Sequence, residues 1–399
     1  MKRTALCISL LLCLLPLPGR RIPRQPFVRT EANVLQKPAG SAPDYERFLR
    51  KIDTLLATGG TDVRILHIGG SHVQGGSLSD RLRRHFLSLR YGIDGGRGLV
   101  FPYAAALTNT PAGYSSSYSG RWESVSCLKP GDDAAALGVS GMAATALDTS
   151  ARIVIDLAPK EAQLLQQRHS FKSVDILGTG ELMPVLLQGK DTLRGVKGRH
   201  LVHFELPYYT DWVQVGFEGE GRFCLRGLYL DRPGNGLSFS EAGVNGASTR
   251  SWLNCGAFRE DLARVMPDLV IFSIGINDIQ GADFDAGRFK RRYRELIKEV
   301  RAVNPHCAFL FTGINDSVLR RKGVNPHTPA VQEACRQLAK ECKGVFWDWY
   351  EVMGGYGSMA QWESAGLAQS DRIHFTPAGY RLVADLLFDA VLEDYYLHQ

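Results

Sequence analysis

From Gly243 to the C-terminus, apolar runs of strand length alternate with stretches of helical periodicity, and no other feature limits the fold as much. "LVIFSIG" (Leu269 to Gly275) is followed by a helical stripe of Phe289, Tyr293, Leu296, Ile297 and Val300. "AFLFTG" is followed by a predicted helix from Pro329 to Lys343, and "GVFWDW" is a third strand. Thr376-Pro377 then opens a last helix bearing Tyr380, Leu382, Val383, Leu386, Leu387 and Val391, with a capping hydroxyl ahead of a proline at the first helical position. The rhythm also occurs early. Asp44 is expected to cap a helix carrying Tyr45, Phe48, Leu49, Ile52, Leu55 and Leu56, "VRILHIG" reads as a strand, and Leu78, Leu82, Phe86 and Leu89 form another stripe. Continuous apolar strands alternating with amphipathic helices imply a largely parallel sheet covered on both faces.

The middle follows another pattern. From about Leu99 to Ser238, short strand-like pieces such as "ARIVIDLA", "SVDILG" and "HLVHFELP" are broken by Gly, Ser and Thr. This predicts a β-sandwich or jelly-roll, with one short helix over Ala158 to His169. The expected organisation is therefore an α/β domain in two parts, 44–98 and 236–399, with a β-rich insert over 99–235. Residues 20–43, rich in Pro and Arg, read as a linker.

The N-terminus, "MKRTALCISLLLCLLPLPGRR", pairs Lys2 and Arg3 with an apolar run from Ala5 to Leu17. The run is short for a bilayer span and reads as a signal peptide over 1–19, so export to a periplasm or beyond is expected, with a lipoprotein anchor at Cys13 the weaker reading. The formal charge of +6 includes no Lys/Arg block of the kind that tracks nucleic acid, and nucleic-acid binding is not expected. No stable membrane span is expected once the signal is cut, and the oligomeric state is left open. Six cysteines lie beyond the signal: Cys127, Cys224, Cys255, Cys307, Cys335 and Cys342. None has zinc spacing, so no metal site is expected; export would permit pairing, but most read as buried apolar side chains.

Four short motifs fall in the α/β parts: "GGSH" (Gly69 to His72), "GVNGAST" (Gly243 to Thr249), "GIND" (Gly275 to Asp278) and "DRIH" (Asp371 to His374). Loops at the carboxyl ends of parallel strands meet along one edge, where ligands bind. Ser71 is a weak nucleophile until a base takes its proton; His374 is suited to that, and Asp371 can orient the imidazole. The backbone N–H groups of Ser71 and Gly246 and the Asn277 amide are suitable donors to an oxyanion. "GIND" recurs at Gly313 to Asp316. Asn277 is preferred because it follows the Gly246 loop by one helix–strand unit, with Asn315 as its rival or a substrate contact.

In order and context these motifs resemble the SGNH/GDSL hydrolases, over roughly Val63 to Gly98 and Gly236 to Gln399 but not the insert. The resemblance implies a flavodoxin-like three-layer α/β sandwich with a parallel sheet. It implies Ser71 as nucleophile, His374 and Asp371 completing a triad, an oxyanion hole of Ser71, Gly246 and Asn277, and no cofactor. The segment from Asp348 to Tyr380 is similar to that of exported bacterial esterases with a β-rich insert that act on acetylated polysaccharide, peptidoglycan O-acetylesterases among them. One residue departs from the pattern: Gly70 stands where the family usually has Asp, and glycine's freedom predicts a looser nucleophile turn.

His72, Trp349 and Tyr356 are further candidates for substrate contact, the aromatics by stacking on sugar rings, although packing beneath a loop is the ordinary role of such residues. His67 reads as a core histidine, and Arg250 and Trp252 as surface or packing residues. The expected function is a serine esterase deacetylating O-acetylated polysaccharide. Two rivals are an SGNH acylhydrolase acting on lipid or thioester, and a degenerate hydrolase kept as a glycan-binding protein.

Overall fold

The computed structural model describes residues 24–129, 131, 136–158, 170–281, 284–319 and 323–397. The signal-like segment and the helix expected over Ala158 to His169 lie outside the described residues, save Ala158 itself. The central sheet has six strands: β1 (Leu35–Gln36), β2 (Val63–Gly69), β3 (Leu237–Gly243), β4 (Leu269–Ser273), β5 (Ala308–Phe311) and β6 (Val345–Trp347). Their spatial order is β1-β6-β5-β4-β2-β3; all pairings are parallel except β1 with β6. Counted along the chain, the five parallel strands lie in the order 2-1-3-4-5, one of the two common doubly wound arrangements.

Side-chain alternation along these strands sorts the core into two layers. Ile65, Phe239, Ile271, Leu310 and Trp347 face one apolar cluster, together with α1 (Pro43–Thr58), α3 (Ser77–Leu87) and α8 (Pro377–Tyr396). Leu66, Ile68, Phe272, Phe309, Phe311 and Phe346 face the other, with α5 (Phe258–Val265), α6 (Ala286–Val303) and α7 (Thr328–Cys342). Two short helices complete the set used below, α2 (Ser71–Gln74) and α4 (Thr249–Trp252).

Two local expectations are corrected. Helix α1 starts on Pro43 with Ala42 at the cap position and no capping side chain, because proline there already has the helical φ and needs no N–H partner. Residues 24–42, expected as linker, run along the domain: β1 pairs with β6, Trp347 Nε1 donates to Asn33 Oδ1 at 2.9 Å, and the Asn33 amide donates to the Leu386 carbonyl at 3.0 Å. Pro and Arg content reports a lack of periodicity, which an edge strand two residues long also lacks.

Between β2 and β3 the chain builds two antiparallel sheets, of five and seven strands. Ile153, Ile155, Val213 and Val215 of one and Val174, Ile176, Leu225 and Leu228 of the other share a single apolar cluster, continuous with the α5–α7 face of the central sheet. Buried and half-buried ion pairs cross the junction. Arg226, on the strand Phe223–Asp231, donates to Asp261 of α5 at 2.9 Å, and Arg264 of α5 reaches both Asp175 and Asp231. Arg97 pairs with Glu241 of β3, both fully buried, and donates to the Phe239 carbonyl at 3.0 Å. Burial pushes the Glu241 carboxyl up, against the pull of Arg97 and Arg83. All six cysteines beyond the signal-like segment are free thiols, and five are buried.

Removing one member of a buried pair strands the other's charge. Arg97→Met should therefore cost about 3–5 kcal/mol of unfolding free energy, and adding Glu241→Leu should restore most of it, read from denaturant midpoints.

Candidate active site

Strand register sets the site. Gly69 at the end of β2 pairs with Gly243 of β3 on one side and Ser273 of β4 on the other, so three strands stop at one level. The loops beyond them carry Ser71, Gly246 and Asn277. This edge contains the point where the strand order reverses, the usual ligand position in such sheets.

Ser71 is the first residue of α2, a single turn closed by bonds from the Val73 and Gln74 N–H groups to the Gly70 carbonyl at 3.1 and 3.0 Å. Gly70 has φ of −89° and ψ of −140°, the latter outside the usual β and α ranges. Its missing side chain also matters, since a Cβ there would lie 3.0 Å from Asn277 Nδ2 and 3.3 Å from the Ala247 carbonyl. Asn277 Nδ2 itself donates to that carbonyl at 2.9 Å, which ties the third loop to the second and leaves the other amide hydrogen uncommitted by this bond. Gly246 is exposed, with φ of +83°, in the left-handed region that favours glycine.

The fourth loop comes from the other end of the chain. Asp371 forms a compact unit: Oδ1 accepts the backbone N–H groups of Ile373 and His374, each at 2.9 Å, and Oδ2 lies 2.7 Å from His374 Nδ1. Burial opposes ionisation of this carboxyl, but the bonds from His374 and the two backbone N–H groups outweigh it, and its pKa falls below the ordinary value. With Nδ1–H donated to Asp371, His374 Nε2 turns its lone pair to Ser71 Oγ, 2.8 Å away. A hydroxyl, an imidazole and a carboxylate are thus joined in series across 303 positions of sequence, and such a series can draw a proton from the hydroxyl.

Three residues expected to touch substrate lie beneath the site instead. Asn315 is 0% exposed; its amide donates to the carbonyls of Ile373 at 3.0 Å and Asp316 at 2.7 Å, so it holds the histidine loop from below. His72 is 3% exposed, with Nδ1 2.7 Å from the Tyr380 hydroxyl and its ring edge-on to Trp349, His374 and Phe375. Trp349 is 2% exposed and stacks on Phe375. Each stands on an element whose inward direction only the packed structure reveals. Tyr356 is 73% exposed, Trp252 is buried, and Arg250 is exposed.

Sequence reasoning missed two supporting residues. Gln74, fully buried, accepts the Asn245 N–H at 2.6 Å and donates to Thr108 Oγ1 and the Asn109 carbonyl, both at 3.0 Å, which braces the Gly246 loop against the insert. Asp278 takes the Thr249 hydroxyl at 2.6 Å and its N–H at 3.0 Å, anchoring α4. The adjacency of Asp278 to Asn277 was a usable signal; nothing in the sequence marked Gln74.

Residues 216–382 match the GDSL-like Lipase/Acylhydrolase family, a span that contains Gly246, Asn277, Asp371 and His374 but not Ser71. The fold is shared with a solved structure of a peptidoglycan O-acetylesterase, at 24% identity and a TM-score of 0.73, over 91% of this chain and 99% of that one. Lesser overlaps include a GDSL-like lipase from Parabacteroides merdae (18% identity, TM-score 0.32, 39% of this chain and 72% of that one) and an acetyl xylan esterase (20%, 0.32, 39% and 81%). No curated protein matches the chain significantly. The chain resembles the SGNH/GDSL hydrolases in these motifs and in fold.

Two buried histidines give the fold a pH dependence. His67, held by Ser79 and Ser273 at 2.9 Å each, and His72 are both driven by burial to a pKa of about 3. The unfolded chain binds these protons near pH 6.5 and the folded chain does not, so stability is lost as pH falls below that value. Each histidine should contribute about 1.4 kcal/mol per pH unit between pH 6 and 4. Denaturant midpoints across that range, and ring resonances of both residues that stay fixed from pH 8 to 5, check this.

Proposed function

We propose that the protein is an exported serine esterase that removes small acyl groups, acetyl foremost, from O-acetylated polysaccharide. The carrying observation is the continuous Ser71–His374–Asp371 series beside the Gly246 and Asn277 loops. In this reading His374 takes the Ser71 proton as Oγ attacks the ester carbonyl. The N–H groups of Ser71 and Gly246 and the Asn277 amide stabilise the oxyanion, a contribution of about 10²–10³ in turnover for each donor. His374 then protonates the departing sugar hydroxyl, leaving an acetyl ester on Ser71. Water, deprotonated by His374, attacks that ester, and acetate leaves as the proton returns to Ser71.

Two observations support a polymeric, polar substrate. The His374 and Asp371 side chains are 31% and 42% exposed, so the site lies at the surface, where a long chain can reach it. The cleft next to Asn277 is lined mainly by polar and charged residues, which suits a sugar better than an acyl chain. The shared fold with a peptidoglycan O-acetylesterase points the same way. The signal-like N-terminus supports export.

Acetate release from O-acetylated peptidoglycan and from acetylxylan tests the reading. Ser71→Ala and His374→Ala should each lower kcat by about 10³-fold or more with the fold retained by circular dichroism. p-Nitrophenyl acetate should be cleaved faster than long-chain p-nitrophenyl esters. Activity that survives Ser71→Ala overturns the proposal.

A further inference from the structure

Beside Asn277 lies a cleft of about 230 Å³ whose lining includes Arg250, Arg288 and Arg292 with Asp278 and Asp285. Both carboxylates are engaged within the fold. Asp278 binds the Thr249 hydroxyl and N–H, and Asp285 accepts the Arg288 backbone N–H at 2.6 Å as it caps α6. Arg292 lies 3.8 Å from Asp278, beyond direct hydrogen-bond distance. Arg250 is exposed and has no ion-pair partner among the described residues. With Arg292 facing Asp278 and Arg288 facing Asp285, Arg250 is the lining guanidinium that no described carboxylate pairs, next to the residue assigned to the oxyanion.

We infer that this cleft binds a carboxylate carried by the polysaccharide close to the ester under attack. The inference rests on the proposed esterase function and names its substrate class: acidic glycans over neutral ones. Guanidinium is the group whose planar fork matches a carboxylate. A single unpaired guanidinium suits a monoanion better than a doubly charged phosphate ester. Asn277 forms one wall of the cleft and also lies against Gly70 in the nucleophile turn, so a polymer with its acetyl ester over Ser71 is in reach of the cleft. Both contacts therefore fall on one bound chain. Part of the attraction acts over distance, so it speeds encounter and weakens with salt.

The test uses one polymer in two charge states: O-acetylated peptidoglycan fragments with free peptide carboxylates, and the same fragments with those carboxylates amidated. The native protein should release acetate from the free acid with a kcat/KM about tenfold higher at low salt, the gap narrowing as salt rises. In Arg250→Gln the ratio should fall toward one. Equal kcat/KM of the native protein on both forms overturns the inference and leaves the esterase reading standing. If neither form yields acetate, it is the esterase reading that fails. Calorimetric binding of the two fragments then decides the cleft: a preference for the free acid supports it, and equal binding overturns it.

Discussion

The register of the central sheet is the constraint on which the site depends. Parallel pairing of Gly69 with Gly243 and with Ser273 ends three strands at one height, so their loops leave the sheet side by side. A shift of one residue in either pairing would turn the strand's alternating side chains to the opposite layer and exchange the two apolar faces. The burial that stabilises the sheet therefore also holds Ser71, Gly246 and Asn277 together. The site needs little stabilisation of its own, because the core that fixes the register encloses far more apolar surface than the loops do.

The histidine loop is held by different means. It follows no central strand; it precedes α8, and its position comes from below, through the Asn315 amide on the Ile373 carbonyl and the aromatic floor of His72, Trp349, Phe375 and Tyr380. Asp371 adds local rigidity by binding two backbone N–H groups as well as the imidazole. The insert joins in from the side: Thr108 and Asn109 grip Gln74, and Gln74 grips Asn245. It is thus part of the support for the site as well as a separate pair of sheets, and an apolar cluster and ion pairs shared with α5 join it to the α/β domain.

Residue type and order carried some of this further than others. The strand–helix rhythm after Gly243 foretold the covered parallel sheet, since amphipathic periodicity is a direct imprint of which faces are buried. Three of the four motifs lie in loops after parallel strands, and such loops have only one edge of the sheet to occupy; the fourth reaches that edge from ahead of α8. His72, Asn315 and Trp349 were read outward as substrate contacts, and they point inward. Their neighbours in sequence are polar or glycine-rich, which signals a loop but not which side of it faces the core. The second "GIND" shows the limit clearly. Asn277 and Asn315 have identical flanks; one is half-exposed at the rim and the other is fully buried.

By itself, then, the sequence determined the layering of the α/β domain, the β-rich character of the insert and the chemical identity of the groups at the rim, because each follows from local periodicity or from motif order. Only the tertiary structure decided which asparagine stands at the rim and which polar residues brace the loops. It also decided that residues 24–42 belong to the fold, and where the arginines gather. Those outcomes depend on contacts between segments as far as 353 positions apart, and the direction of a side chain at such a contact is set by packing that no local pattern encodes.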